Sequence, residues 1–413
     1  MRRDPLIFLS AGEASGDHYG AELIDMLRPV LPDARFLGLG GVAMQQAGQR
    51  RIVRAEDVAF MGITEILRHV PRILGGYIKL VRAIRRERPD IAVLIDFPDV
   101  NFRLAKHCKR LGIPVVWFVS PQLWAWKRQR LRWVQQRVSR MLTIFPFEEP
   151  FYSARGVHAT FVGHPLAEAP LPTISRQDFA AEHSLKPEAP WIALLPGSRR
   201  SEIAAHLPTL IEAANQLGPE YTYLVPVAPG ISIAELQQRY AASIQIPLAW
   251  TTDARATLFH ARAAVVASGT ATVQAAVLGT PFVTIYRVSD ATFRTAKRLV
   301  RYPAEITATE DAYGNLPVAM PNLIAGRRVT TELLQERFTP QNILTSLQPL
   351  LDDGPARQEA LTGLCEVRNR LLSGRGNASM DHLRDAVLKE LGYRVPVPAS
   401  ITSSALATSA SNE

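Results

Sequence analysis

A chain of 413 residues exceeds what one ordinary hydrophobic core organises, and 47% apolar with 21% charged residues excludes a mostly disordered protein. The two cysteines, Cys108 and Cys365, lie far apart without partner spacing, which argues against a disulfide framework or a zinc site and suits a reducing compartment. The net charge of +9 favours an anionic partner: nucleic acid, anionic lipid or a phosphorylated substrate.

The chain opens with "MRRDPLIFLSAGEASGD", which lacks a cleavage site and carries acids at Glu13 and Asp17. It reads as a first strand, not a signal peptide. No run reaches the ~18 to 20 apolar residues a membrane span needs. Strand, glycine-rich turn and helix then follow in "SAGEASGDHYGAEL", where Gly12 and Gly16 allow close backbone approach and the helix start can hold an anion. The stretch is not G-x-G-x-x-G, and "GLGG" at Gly38, Gly40 and Gly41 lacks the third glycine, so a dinucleotide site is poorly supported. No Walker lysine is present. The ordinary alternative for each loop is a tight strand-to-helix turn.

The next long helical stretch, "FMGITEILRHVPRILGGYIKLVRAIRRERP", spaces Val70, Ile73, Leu74, Tyr77, Val81 and Ile84 at helical intervals. Beside them lie Arg68, Arg72, Lys79, Arg82, Arg85, Arg86 and Arg88, with Glu87 as counter-charge. It reads either as a core-facing helix with a solvated basic face or as a surface touching anionic lipid. "VLIDFPDVNF" follows. Val93, Leu94 and Ile95 read as a strand buried on both faces. Asp99 suits the N-cap of the next helix. Asp96, placed at the last strand position, lacks that explanation. Partial burial there raises a carboxyl pKa, and Asp96 is the candidate general base for a hydroxyl nucleophile. An ion pair with a nearby arginine is the structural alternative, and His18 is the rival base.

Between Asp99 and Glu148 no acid occurs, while Arg103, Lys106, Lys109, Arg110, Lys127, Arg128, Arg130, Arg132, Arg137 and Arg140 supply ten bases. "VSPQLWAWKRQRLRWV" interleaves Trp124, Trp126 and Trp133 with them, which fits a membrane interface, an acyl-chain lip or stacked bases. "PVVWFV" and "MLTIFP" add strands, so the first half alternates strands and helices as a parallel sheet does. Prolines 165, 170, 172 and 187 mark a linker.

The pattern restarts at "WIALLPGSRRSEI". Gly197, Ser198 and Arg199 follow a strand and precede a helix, so amides, a hydroxyl and a guanidinium can cradle a diphosphate. The same residues also read as a helix cap, with Ser198 or Ser201 at the cap and Glu202 closing a capping box. "VVASGTATVQAAVLGTP" sets Ser268, Gly269, Thr270 and Ala271 at another helix start. Two small-residue loops suit a nucleoside diphosphate. Asp-x-Asp, a metal-bridging pair, is absent, so helix ends and Arg199 are expected to meet the charge without metal or cofactor. The reading is an α/β protein of two Rossmann-like domains facing a cleft. Residues 1–168 form the first, 169–375 the second, a helix at about 376–393 packs back, and 394–413 is a disordered tail.

Taken together, "SAGEASGD", "FMGITEIL", "DFPDVNF", "VSPQLWAW", "FPFEEPFY", "FVGHPLAE", "LLPGSR", "ASGTATVQAAVLGTP" and "MPNLIAG" are collinear from about residue 6 to 390 with a known family. The chain resembles the lipid-A-disaccharide synthases, inverting glycosyltransferases of the GT-B fold. The resemblance implies UDP-2,3-diacylglucosamine as donor and 2,3-diacylglucosamine 1-phosphate as acceptor. It also implies a β-1,6 disaccharide 1-phosphate and UDP as products. Asp96 falls on the family's proposed base. Gly12, Glu13, Ser15, Gly16 and Asp17 fall in the first-loop substrate site. Arg199 falls on a diphosphate contact, and Asn322 on a second donor-site residue. Many relatives carry Glu where this chain has Gln274, whose amide can still bond a ribose hydroxyl but without the carboxylate's charge. The segment "YPAEITATEDAYGNLPVAMPNL" is longer than the usual family connection and reads as a mobile flap. The resemblance also implies a cytoplasmic protein held peripherally at the inner membrane, able to pair as a homodimer. A different UDP-sugar transferase or epimerase of this fold, acting on a soluble substrate, is the alternative. A nucleic-acid partner is not expected, since it leaves both phosphate loops without a purpose.

Overall fold

The computed structural model describes residues 4–57, 63–374 and 378–395, with the backbone alone for 63–70. The "FMGITEIL" motif, Arg68, Val70 and all but the first residues of the proposed tail therefore lie outside the described side chains. Two parallel sheets carry the fold. The first contains β1 (Leu6–Ala11), β2 (Arg35–Gly40), β3 (Gln49–Arg54), β4 (Ile91–Ile95), β5 (Val115–Phe118), β6 (Arg140–Thr143) and β7 (Ala159–Phe161). Their spatial order is β3-β2-β1-β4-β5-β6-β7. The second contains β8 (Trp191–Leu195), β9 (Thr222–Pro226), β10 (Leu248–Thr251), β11 (Ala263–Ala267), β12 (Phe282–Tyr286) and β13 (Glu332–Leu334), in the order β10-β9-β8-β11-β12-β13.

Both orders reverse direction once, between β1 and β4 and between β8 and β11. Loops leaving the carboxyl ends of strands at such a reversal splay apart and leave a crevice, the usual ligand position in open α/β sheets. The strands that flank the reversals are the greasiest. Every residue of β1, β4, β8 and β11 is buried, as parallel strands covered by helices on both faces must be. Register brings Ala11, Ile95 and Phe118 side by side at the carboxyl edge of the first sheet. In the second sheet Val266 lies beside Leu195, and Ala267 beside Ile285.

Contacts divide the chain into two compact units. One gathers the chain up to Pro121, Arg132–Leu142 and the segment from Met380 onward; the other gathers Gln122–Leu131 and Thr143–Ser379. In the first unit the helix Ser379–Glu390 buries Leu383, Val387 and Leu388 and is tied to β6 by an Arg140–Glu390 ion pair of 2.6 Å. The second unit packs Leu207, Leu210 and Ile211 of the helix Arg200–Leu217 against Ile192, Val265 and Val283. The proline-rich stretch after β7 carries two short helices, Pro165–Glu168 and Arg176–Glu182.

The segment after residue 302 is pinned and is not a free flap. Tyr302 donates its hydroxyl to Pro317 O at 2.7 Å, and Arg328 donates to Asn315 O at 2.9 Å. One Asp311 carboxylate oxygen accepts from the Tyr313 and Asn315 amides at 2.9 and 2.8 Å. Among the described residues no helix is long and apolar enough to cross a membrane.

Candidate active site

The first crevice is built where β1 and β4 end. Asp96 lies one residue beyond β4, not within it, and its amide donates to Phe118 O at 2.9 Å. Asp96 and Phe97 both adopt left-handed backbone, with φ of 45° and 47°. Non-glycine residues in that region store roughly 1–3 kcal/mol each and persist where the surroundings over-determine them. Two contacts supply that determination. Asn101, fully buried, donates its amide to Asp96 O at 2.7 Å and reaches Ile95 O and Ser10 O at 3.3 Å. Its carbonyl accepts from the Ser10 hydroxyl at 2.7 Å. The Phe97 ring covers Gly12 so closely that a Cβ there would stand 2.5 Å from it. Only glycine fits at residue 12.

Partial burial pushes the Asp96 carboxyl up to about 6, the neighbouring Glu13 charge adds to the rise, and a hydrogen bond from the Phe97 amide opposes it. None of the ion pairs found among the described residues includes Asp96. The arginine-pair alternative is therefore not what the geometry presents. Glu13 is half-buried at the start of the helix Ala14–Leu27, beside exposed Ser15.

Other first-loop residues have structural tasks. Gly16 is buried where a Cβ would meet Ala11 Cβ at 3.0 Å and Ile95 at 3.3 Å, so it sets the helix-to-strand distance. Asp17, expected to bind substrate, is buried instead. Its carboxylate accepts from the Gly41, Ala43 and Met44 amides at 2.7, 2.9 and 3.1 Å, capping the short helix Val42–Gln46. His18 stands exposed on the first helix and not in the loop. Asp99 is not the N-cap either. The helix Pro98–Arg110 has Phe97 at that position and Asp99 in its first turn, where a negative charge still favours the helix dipole.

In the second unit, Gly197, Ser198 and Arg199 leave β8, with Gly197 at φ 122°. Glu202 occupies the cradle. Its carboxylate accepts from the Ser198 and Arg199 amides at 3.0 and 3.3 Å and pairs with the Arg199 guanidinium at 3.3 Å. The helix cap is Arg199, and neither Ser198 nor Ser201. The same donors that suit a diphosphate thus hold a protein carboxylate. His206, buried in the same helix, ties this loop to the end of β12: Nδ1 lies 2.6 Å from Pro196 O, and Nε2 accepts from the Arg287 amide at 3.1 Å. Sequence reading did not single it out.

Across the reversal, Ser268 follows β11, and Gly269 at φ 148° starts the helix Thr270–Leu278. Gly269 and Thr270 are exposed, Ala271 and Gln274 half-buried. The first-turn amides of such a helix have no partner within it. Ser268 donates its hydroxyl to Val318 O at 3.2 Å.

Asn322 does not join them. It is fully buried, donating to Thr330 O at 3.0 Å and Glu332 Oε1 at 2.8 Å, and accepting from the Val329 and Thr330 amides at 2.7 and 3.0 Å. An Asn side chain has two donors and one carbonyl oxygen with two lone pairs. All are in use within the protein, so Asn322 holds the loop before β13.

A sequence model of a family described as "Lipid-A-disaccharide synthetase" matches residues 7–382. A protein of Acidobacterium capsulatum named "Lipid-A-disaccharide synthase" is 54% identical over 384 residues, covering 90% of this chain and 93% of that one. Among solved structures, the UDP-GlcNAc 2-epimerase from Neisseria meningitidis bound to UDP-GlcNAc aligns with a TM-score of 0.59 at 12% identity, over 93% of this chain and 99% of that one. The calicheamicin glycosyltransferase CalG4 aligns with a TM-score of 0.54 at 15% identity, over 95% and 99%. At those identities the likeness is one of fold, the GT-B arrangement of glycosyltransferases and epimerases.

Proposed function

Because this chain belongs to the lipid-A-disaccharide synthetase family, and so is a glycosyltransferase forming the lipid A disaccharide, we propose that it works by a single inverting displacement with Asp96 as base. The donor in this reading is UDP-2,3-diacylglucosamine and the acceptor 2,3-diacylglucosamine 1-phosphate. Asp96 takes the proton of the acceptor's primary hydroxyl as that oxygen bonds to the donor's anomeric carbon. The bond from that carbon to the diphosphate oxygen breaks, and UDP carries the electron pair away. First-turn amides beyond Gly197 and Gly269, with Arg199, meet the charge that develops on the diphosphate. Donor binding displaces Glu202 from the Ser198 and Arg199 amides.

The observation that carries this reading is the Asp96 carboxyl itself, partly buried, held in left-handed backbone, without an ion-pair partner among the described residues and raised to about 6. A base works best when its pKa lies near the operating pH. Only the ionised form accepts a proton, so acceptor kcat/KM should fall about tenfold per pH unit below about 6. Burial is the larger cause of the rise and Glu13 the second. Glu13→Gln should therefore move this acid limb to lower pH. A limb that stays put in Glu13→Gln, or one centred near 4 in the wild type, would count against the assignment.

We extend the reading to the membrane surface. The helix Ile63–Glu87 exposes Leu74 and Ile78, and one turn further the exposed Arg82, Arg85 and Arg86. Apolar residues followed by a basic cluster suit a helix lying on anionic lipid. Each base near such a surface is worth about 1 kcal/mol, so Arg82→Ala with Arg85→Ala should weaken binding to phosphatidylglycerol vesicles roughly 10- to 30-fold. Equal binding by variant and wild type would remove this face from the account.

A further inference from the structure

The third loop at the first sheet's carboxyl edge carries an unexplained hydroxyl. Ala11, Ile95 and Phe118 lie in register, so Gly12, Asp96 and Val119 leave the sheet at one level. Val119 has φ 63°, and it is the one β-branched residue among the described non-glycine residues with positive φ. Branching at Cβ makes that conformation especially unfavourable. The Trp117 indole, donating to Val119 O at 3.1 Å, holds it there. Next comes Ser120, 5% exposed, whose hydroxyl has no hydrogen-bond partner among the described residues. Buried hydroxyls are nearly always satisfied, and strained backbone gathers at functional sites. An orphan hydroxyl beside strained backbone, one strand from the candidate base, combines both departures.

We propose that Ser120 is an acceptor-binding residue, whose hydroxyl hydrogen-bonds a polar oxygen of the acylated acceptor sugar while the primary hydroxyl faces Asp96. The inference rests on the reading of Asp96 as base. Strain at Val119 then has a use: an extended residue there would carry Ser120 straight on along the strand, whereas the left-handed turn redirects the chain at the level of Asp96. A hydroxyl matches a neutral sugar hydroxyl or acyl carbonyl, since it both donates and accepts.

The test is Ser120→Ala, assayed with the diacylated acceptor at saturating donor, with UDP affinity by calorimetry and Tm by scanning calorimetry. Acceptor kcat/KM should fall about 10- to 100-fold, because the acceptor loses a partner in a desolvated site. UDP affinity should stay within about twofold, and Tm should hold or rise by about 1–2 °C, since an unsatisfied buried hydroxyl is removed. An acceptor kcat/KM within twofold of wild type overturns the proposal, and so does a loss of activity accompanied by a fall in Tm. Asp96→Asn is run alongside. If it retains turnover, the base assignment fails; if it loses turnover while Ser120→Ala matches wild type, the Ser120 assignment alone fails.

Discussion

Asp96→Asn is expected to lower kcat about 1,000-fold, within the 10²- to 10⁴-fold range that general bases supply, while UDP affinity stays within about twofold. The substitution keeps the size of the side chain and removes its ability to accept a proton. The loops proposed to hold UDP belong to the second unit, whereas Asp96 belongs to the first. The backbone at residue 96 is held through its carbonyl by Asn101 and through its amide by Phe118 O, so neither support depends on the carboxylate. Stability should move the other way from activity. The carboxyl ionises near its ordinary 3.8 in the unfolded chain and at about 6 in the folded one. As pH rises through that window, the unfolded state loses its proton first and is favoured. Above it the penalty is complete, at roughly 2–3 kcal/mol as an upper bound for a half-buried group. Asp96→Asn removes that penalty, so at neutral pH the inactive protein should melt higher than the wild type. A structural ion-pair carboxylate would give the opposite sign.

Asn322→Ala should act through stability. Truncation leaves the Val329 and Thr330 amides and Thr330 O without their partner, and takes one hydrogen bond from Glu332, whose side chain is fully buried. At roughly 1–3 kcal/mol for each buried group left unsatisfied, the loss should reach about 4 kcal/mol or more, visible as a lower urea midpoint. The Glu332 carboxylate also accepts from the Val318 and Ala319 amides and pairs with Arg328 at 3.0 Å, so the disturbance should spread to residues 315–319. The fraction that stays folded should bind UDP nearly as well as wild type. Weakened UDP binding with an unchanged urea midpoint would instead restore Asn322 to the donor site.

What the sequence revealed depended on how local the physics was. The central strands β4, β5, β8 and β11 announce themselves as unbroken apolar runs, and β1 and β12 are interrupted by one small hydroxyl residue each, Ser10 and Thr284, because burial on both faces leaves no room for polar alternation. β3 was hidden by its charges, "QRRIVR", and β13 by its length of three residues. β10, "LAWT", is only half-buried for most of its length. Strand-loop-helix spacing located the loops at both reversals, yet it could not show which donors the protein already uses. Glu202 takes the amides after Gly197, Asp17 spends its carboxylate on backbone from Gly41 to Met44, and Asn322 spends its polar atoms on the loop at Val329 and Thr330 and on Glu332. Asn101 was missed for the same reason: the bond that locks it comes from Ser10, 91 residues away. A motif marks where chemistry is permitted, and long-range hydrogen bonds decide which of its residues are free to perform it.

The central claim, one displacement at the anomeric carbon with a carboxylate taking the proton, is tested most directly by product stereochemistry. The purified protein is incubated with α-configured UDP-2,3-diacylglucosamine and 2,3-diacylglucosamine 1-phosphate, and the new linkage is read from its anomeric proton coupling. A β-linked disaccharide formed together with UDP is the predicted result. An α-linked product would require two displacements or a different attacking group, and would contradict the role given to Asp96.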